Sequence, residues 1–307
     1  MKPGPLRRAL GVAALLVLIV LAASAFIRLT HAGLDCAPWP ACYARQSVAA
    51  VEQSSPPAAE STPIAVARGI HRIAASAVGI LLLGIVLAGW DKFRGAGAKG
   101  VALAALALTA FLAWLGRYTP SDLPAVVLGN MLGGMLLLGL LWSLAGGGPE
   151  FRRERGGAAL GTALASLTVQ MALGGVLSAR RVLLSCPSIP ACNGQWWAPG
   201  ADSATFNPFA PNADVPGNGA ALILAHRYGA LVCALLVAIV AVRVLRAGGA
   251  PRAGTLLLAL LIAQMALGAG LTLSAQPLAL AVLHNVAAAA LAATLVSLSW
   301  PMEVRES

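Results

Sequence analysis

The sequence predicts an all-α integral membrane protein whose eight transmembrane helices form two pseudo-symmetric four-helix bundles, and three observations carry that prediction. Composition comes first: of 307 residues 59% are hydrophobic and only 10% charged, with a mean hydropathy of +0.81, well beyond the apolar share of a soluble domain. The second is the spacing of charges, which leaves uncharged runs of roughly 17 residues or more, enough to cross about 30 Å of hydrocarbon as helix. The third is an internal repeat, in which residues 1–149 and 150–307 carry the same short motifs in the same order.

Taken in order, the first span lies between Arg8 and Arg28, the second runs from near Val66 to Trp90, and the third lies between Lys99 and Arg117. The fourth begins after Asp122, the fifth covers about Gly156 to Ala179, and the sixth starts near Gly217. Between Ala253 and Met302 the only ionisable side chain is His284, and the stretch is too long for one span. "SAQP", Ser274 to Pro277, supplies a polar turn and a helix-starting proline that divide it into the seventh and eighth. Lys2, Arg7 and Arg8 give the first span the look of a signal peptide, but no A-x-A type cleavage site closes it cleanly and "FIRLTHAG" runs straight on, so it reads as a retained helix.

A net charge of +10 is accounted for by topology, and nucleic acid is not expected as a partner. Basic residues collect at the N-terminus, in alternate loops (Lys92, Arg94, Lys99; Arg152, Arg153, Arg155; Arg243, Arg246, Arg252) and at the C-terminus. The positive-inside rule makes that side cytoplasmic, so both termini are expected inside and the segments 28–65 and 180–217 outside.

The repeat sets "CAPWPAC" (Cys36 to Cys42) against "CPSIPAC" (Cys186 to Cys192), and "IHRIAASAVGILL" from Ile70 against "AHRYGALVCALL" from Ala225. Each half then has a cysteine pair in its first outer loop and a His-Arg pair at the outer end of its second helix, a duplicated bundle with its pseudo-twofold axis along the membrane normal. On an oxidising outer face, Cys36 with Cys42 and Cys186 with Cys192 are expected to close as local disulfides, with a redox-active dithiol as the alternative. A membrane thiol oxidoreductase is disfavoured, because neither pair has the two-residue spacing of such centres. Cys233, inside the sixth span, reads as a small apolar filler.

An ionisable residue within a span marks a candidate site, and His71, His226 and His284 all lie in spans near the outer side. His284, on the eighth helix, is expected to face His226 across the second half. Two imidazoles opposed in a bundle, each able to give a nitrogen to iron, with Arg227 available for a propionate, suit a haem. Zinc is a weaker choice because no third or fourth ligand occurs at that depth. In the first half, His71 and Arg72 repeat the pair, but the fourth helix has no histidine; counting from the prolines sets Met131 against His284, with Asn130 beside it. His31 reads as a surface histidine, Trp196 and Trp197 as interfacial anchors or a lid, and the repeated "QMALG" at Gln170 and Gln264 as packing surface.

The ordered set "RLTHAGLDCAPWPAC", "HR" in the second helix, "CPSIPACNGQWW", "AHRYGA" and "LHN" resembles the haem A synthase family over nearly the whole chain. That resemblance implies oxidation of the C8 methyl group of haem O to a formyl group through successive hydroxylations. It implies haem b on His226 and His284 in the second half and substrate haem O in the first, with His71 as the helix-two ligand there. It also implies a bacterial cytoplasmic (inner) membrane setting, a role in cytochrome oxidase assembly, a haem O synthase as supplier and an electron-transfer partner; a homo-oligomer is compatible with it. Two positions depart from the family pattern. Asn130 stands where the family has its fourth-helix histidine, and Arg68 stands where it has a glutamate three residues before His71. A second reading follows from them: a catalytically silent haem b-binding homologue serving electron transfer, haem handling or oxidase assembly.

Overall fold

The computed structural model describes residues 4–34, 62–93, 95–119, 121, 123–146, 157–198, 202–212, 219–247, 251–274 and 276–299. Cys36 and Cys42, and the basic loop at Arg152 to Arg155, lie outside the described residues. Among the described residues eight helices are long and apolar enough to cross a membrane: α1 Pro5–Leu29, α2 Thr62–Gly89, α3 Gly95–Leu115, α4 Pro124–Leu144, α5 Gly157–Ala179, α6 Gly219–Arg246, α7 Pro251–Leu273 and α8 Leu278–Ser299. The protein is an all-helical integral membrane protein, as the hydropathy pattern requires.

Helix ends fall where residue chemistry puts them. Pro124 opens α4 at a first-turn position, where its missing N–H satisfies nothing and costs nothing. The "SAQP" break separates α7 from α8, with Gln276 in the left-handed region (φ 60°) and its N–H returned to the Leu271 carbonyl at 2.7 Å. Past the C-terminal end of α5, Arg181 (φ 58°) makes a similar reversal, and the Val182 N–H bonds to the Leu177 carbonyl at 3.2 Å. The α2 helix starts four residues before the expected Val66, with Pro63 in its first turn. A short helix, Ser203–Phe206, is the regular element between α5 and α6 among the described residues, capped by Asp202 onto the Ala204 N–H.

Lipid gives helices no hydrophobic reason to associate, so close backbone approach and side-chain fit hold such a bundle together. The α4 and α8 helices meet at its centre, where a Cβ on Gly139 would lie 2.9 Å from the Val296 side chain; only glycine permits that approach. The α1 helix packs on α2, α4 and α8 and places Leu10, Ala13, Ala14 and Val17 in the core. On α2, Ile73, Ile80 and Leu87 are largely exposed, a face suited to lipid. A separate core of α5, α6, α7 and α8 is built around Leu167, Val237, Leu257 and Leu295. These two cores leave an apolar cavity between them, toward the end of the helices where the chain passes from α5 to α6.

Candidate functional site: a cavity with paired histidines

The cavity has a volume of about 430 Å³, within the roughly 300–1,000 Å³ usual for small-molecule and cofactor sites. Its wall is mostly apolar, including Met131, Met171, Met265 and Ile223, and into it come His226 from α6 and His284 from α8. The two histidines expected to face one another thus line the same cavity.

Each imidazole is held by a glutamine on the neighbouring helix. The Gln170 amide on α5 donates from Nε2 to the His226 carbonyl oxygen at 2.8 Å and lies 3.0 Å from His226 Nδ1. On α7, Gln264 Nε2 lies 3.1 Å from His284 Nε2. Four residues along, on the same face of each helix, glycine makes room for the ring. A Cβ on Gly174 would be 3.1 Å from His226 Cε1, and one on Gly268 would be 3.2 Å from His284 Cε1. The repeated "QMALG" is therefore an imidazole cradle as well as packing surface. Its signal in the sequence was the repeat itself, glutamine followed by glycine four residues later, on the helix beside each histidine.

With one ring nitrogen of each histidine engaged by glutamine, the other makes no hydrogen bond to a described residue. His284 Nδ1 is buried and without a partner, as are the Gln170 and Gln264 Oε1 atoms; His226 bonds through its Nδ1 and backbone carbonyl. Buried polar groups left in that state point to a ligand. Among the described residues no three His, Cys, Asp or Glu side chains gather as a metal-ion site.

The other candidates fall differently. Arg227 borders the cavity but gives its guanidinium to a loop: Nη1 donates to the carbonyls of Ser188 at 2.6 Å, Pro190 at 3.3 Å and Ala191 at 3.4 Å, and Nη2 to that of Cys186 at 3.1 Å. The expected Cys186–Cys192 disulfide closes this loop, and its Ile189 and Pro190 line the cavity. Tyr228 donates its hydroxyl to the Trp196 carbonyl. Trp196 lies at the cavity edge while Trp197 is exposed, so the two tryptophans divide between lid and surface. Cys233 is buried and free, and His31 is exposed in the π-helical turn Thr30–Leu34 after α1.

In the first half, His71 is half-buried on the face of α2 that carries Ala74 and Val78, while Arg72 is exposed. On α4, Asn130 returns its Nδ2 to the Val126 carbonyl at 3.2 Å and is not among the residues lining the cavity. Met131 turns the other way: it lines the His226 and His284 cavity, and its methyl would lie 2.8 Å from a Cβ on Gly175 of α5.

Two residues at the cavity were missed by the sequence reading. Arg28, near the end of α1, lines it and donates from Nη2 to Asn285 Oδ1 at 2.6 Å, and Asn285 is the residue after His284. Their separation of 257 positions hides the pairing from any local pattern.

Eight helices fit to span a membrane among the described residues, six of them lining an apolar cavity that receives two amide-held histidines, define an integral membrane protein with a buried ligand site. Comparison with known proteins narrows the class. The chain belongs to the cytochrome oxidase assembly protein family, COX15-CtaA, whose model matches residues 7–296. It is 31% identical over 315 residues to the heme A synthase of Shewanella oneidensis, covering 92% of each chain.

Proposed function

We propose that this protein is a membrane oxidoreductase of haem A biosynthesis, converting the C8 methyl of haem O to a formyl group by successive hydroxylations, with haem b held by His226 and His284. The observation that carries the reading is the cavity in which each of those imidazoles is fixed by a glutamine and fitted against a glycine. The donor set suits the group: two histidines in one cavity, each with one ring nitrogen not engaged by its glutamine, apolar and methionine-rich walls, and two arginines at the wall with no aspartate or glutamate among the lining residues. Haem b bound there would supply one-electron redox chemistry. Gln170 and Gln264 orient the rings, the Cys186–Cys192 loop pinned by Arg227 keeps water from the outer side, and Gly174 and Gly268 let the rings sit close to α5 and α7.

Substrate haem O is assigned to the first half, residues 1–149, with His71 as its ligand and Arg72 within reach of the outer surface. Met131 is committed to the second-half cavity, which leaves Asn130 as the group opposite His71. Asparagine is a poor iron ligand, so the substrate iron would carry one strong protein ligand and remain open on its other face. The second half, residues 150–307, keeps haem b and passes electrons. The two halves are read as a duplicated four-helix unit in a bacterial inner membrane with both termini cytoplasmic, drawing haem O from its synthase in the same bilayer and, where it self-associates, doing so as a homo-oligomer.

Cells that make haem O but lack their own haem A synthase provide the test. Expression of this chain should yield haem A, or its hydroxylated precursor, in the extracted pigment; unchanged haem O would contradict the oxidase reading. One observation favours a second reading, in which the protein is a silent haem b carrier. Arg68 stands where the family has glutamate and cannot accept a proton at neutral pH, and Asn130 stands where it has histidine. Purified protein with haem b alone, one per chain, would be the result of that reading.

A further inference from the structure

An arginine inside an apolar span is costly unless something answers its charge. Arg28 is such a residue, four turns or more from the basic end of α1 and set into the cavity wall. Its Nη2 donates to Asn285 Oδ1 at 2.6 Å, its Nε is buried with no partner, and no described residue bonds to its Nη1. Asn285 is neutral, and the residues lining the cavity include no aspartate or glutamate. The hydrogen bond therefore aims the guanidinium without neutralising it. Arg227, the other cation at the cavity, differs: four loop carbonyls already occupy its terminal nitrogens.

Asn285 is itself fixed. Its Nδ2 returns to the Ala281 carbonyl at 2.9 Å, one turn back along α8, which turns Oδ1 toward α1. The arrangement holds a fork of N–H donors beside the residue that follows His284, in a wall that is otherwise apolar. Planar donor forks of this kind match a carboxylate.

We propose that Arg28 is the counter-ion for a carboxylate of the ligand in the His226 and His284 cavity, so that α1, from the first half, completes the second-half site. This rests on the haem b reading above, under which the carboxylate is a porphyrin propionate. Arg28 would take the propionate through the N–H groups that Asn285 leaves unengaged. Arg227 holds the roof of the cavity and is not needed for the charge.

The test is titration of purified full-length protein, freed of pigment, with iron protoporphyrin IX and separately with its dimethyl ester, which has the same ring and no carboxylates. The readout is the bis-imidazole absorption band. Wild-type protein should bind the acid about tenfold or more tightly than the ester, the scale of one charge-assisted hydrogen-bonded pair. Arg28→Gln, which keeps a donor to Asn285 but no charge, should bind acid and ester alike, close to the wild-type affinity for the ester. Arg28→Met, which refills the volume, carries the same comparison if the glutamine variant does not accumulate. Arg28→Lys should recover part of the discrimination. A merely structural arginine predicts equal losses for both porphyrins in Arg28→Gln, and that result overturns the proposal. So does wild-type protein that binds acid and ester equally, with no variant needed. A wild-type protein that gives no bis-imidazole band with either porphyrin overturns the haem reading itself, and the proposal with it.

Discussion

The N-terminal halves of α2 and α6 carry the same His-Arg pair in very different surroundings. His226 has Gln170 at its ring, Gly174 beneath it, and His284 on the wall opposite, itself held by Gln264 and Gly268. Counting back from the first cysteine of each pair sets Val20 and Ser24 against Gln170 and Gly174. Counting back from Pro124 and Pro277 sets Phe111 and Leu115 against Gln264 and Gly268. Every group that steadies an imidazole in the second half is thus a different kind of residue in the first, and Met131 has gone over to the second-half cavity. On the proposed reading, the difference teaches that a duplicated scaffold can keep one site rigid and doubly ligated while loosening its twin. A fixed pair of ligands suits electron transfer, whereas an iron that is itself part of a substrate must arrive, react and leave.

The largest effect expected from that asymmetry is at His71. His71→Ala should abolish haem O binding and conversion while leaving the second-half spectrum at wild-type intensity. If conversion persists, the catalytic work does not lie in the first half. Asn130→His would sharpen the contrast in the other direction, giving the first half a second strong ligand and making the two sites spectroscopically alike; no change in coordination would show that Asn130 does not face the iron.

Next in size are the amides. Residues that orient a metal-ligating histidine commonly change affinity by 10- to 100-fold when removed, so Gln170→Ala or Gln264→Ala should weaken haem b retention by about tenfold while the bis-imidazole band survives. Wild-type retention in both would reduce the glutamines to packing. Phe111→Ala, at the position matching Gln264, should leave haem b retention untouched. Smaller still is the roof. Opening the Cys186–Cys192 loop with Cys192→Ser should cost about 2 kcal/mol from loss of loop closure, and Arg227→Ala should release the same loop from four carbonyl bonds. Both should speed loss of haem b without altering its spectrum. An altered spectrum in Arg227→Ala would mean that the arginine touches the ligand.

Much of this was legible in the sequence. The spans follow from the uncharged runs, the "SAQP" turn divided the last of them where α7 gives way to α8, and the pairing of His226 with His284 followed from an ionisable residue on each of two helices of one unit. The "QMALG" repeat was visible, but its Ala and Gly spoke for packing and its glutamines had no stated partner until α5 and α7 were set beside α6 and α8. Arg28 was hidden more deeply. Its charge looks like the boundary of a span, and only the packing of α1 on α8 brings it to Asn285. Arg227 was expected to hold a propionate, whereas its guanidinium goes to carbonyls of the Cys186–Cys192 loop, and how that loop folds back is something spacing alone cannot determine. The direction of Met131 was likewise undetermined by counting residues, since Asn130 and Met131 are adjacent and about 100° apart around α4; the tight contact with Gly175 decides it.

The central claim, that the second half holds a fixed bis-histidine site and the first half does not, is tested most directly by low-temperature electron paramagnetic resonance of purified full-length protein. One six-coordinate, low-spin bis-imidazole haem per chain is predicted in the wild type, lost in His226→Ala and in His284→Ala and unchanged in His71→Ala. A normal bis-imidazole signal in either of the first two variants, or its loss in the third, would contradict the account.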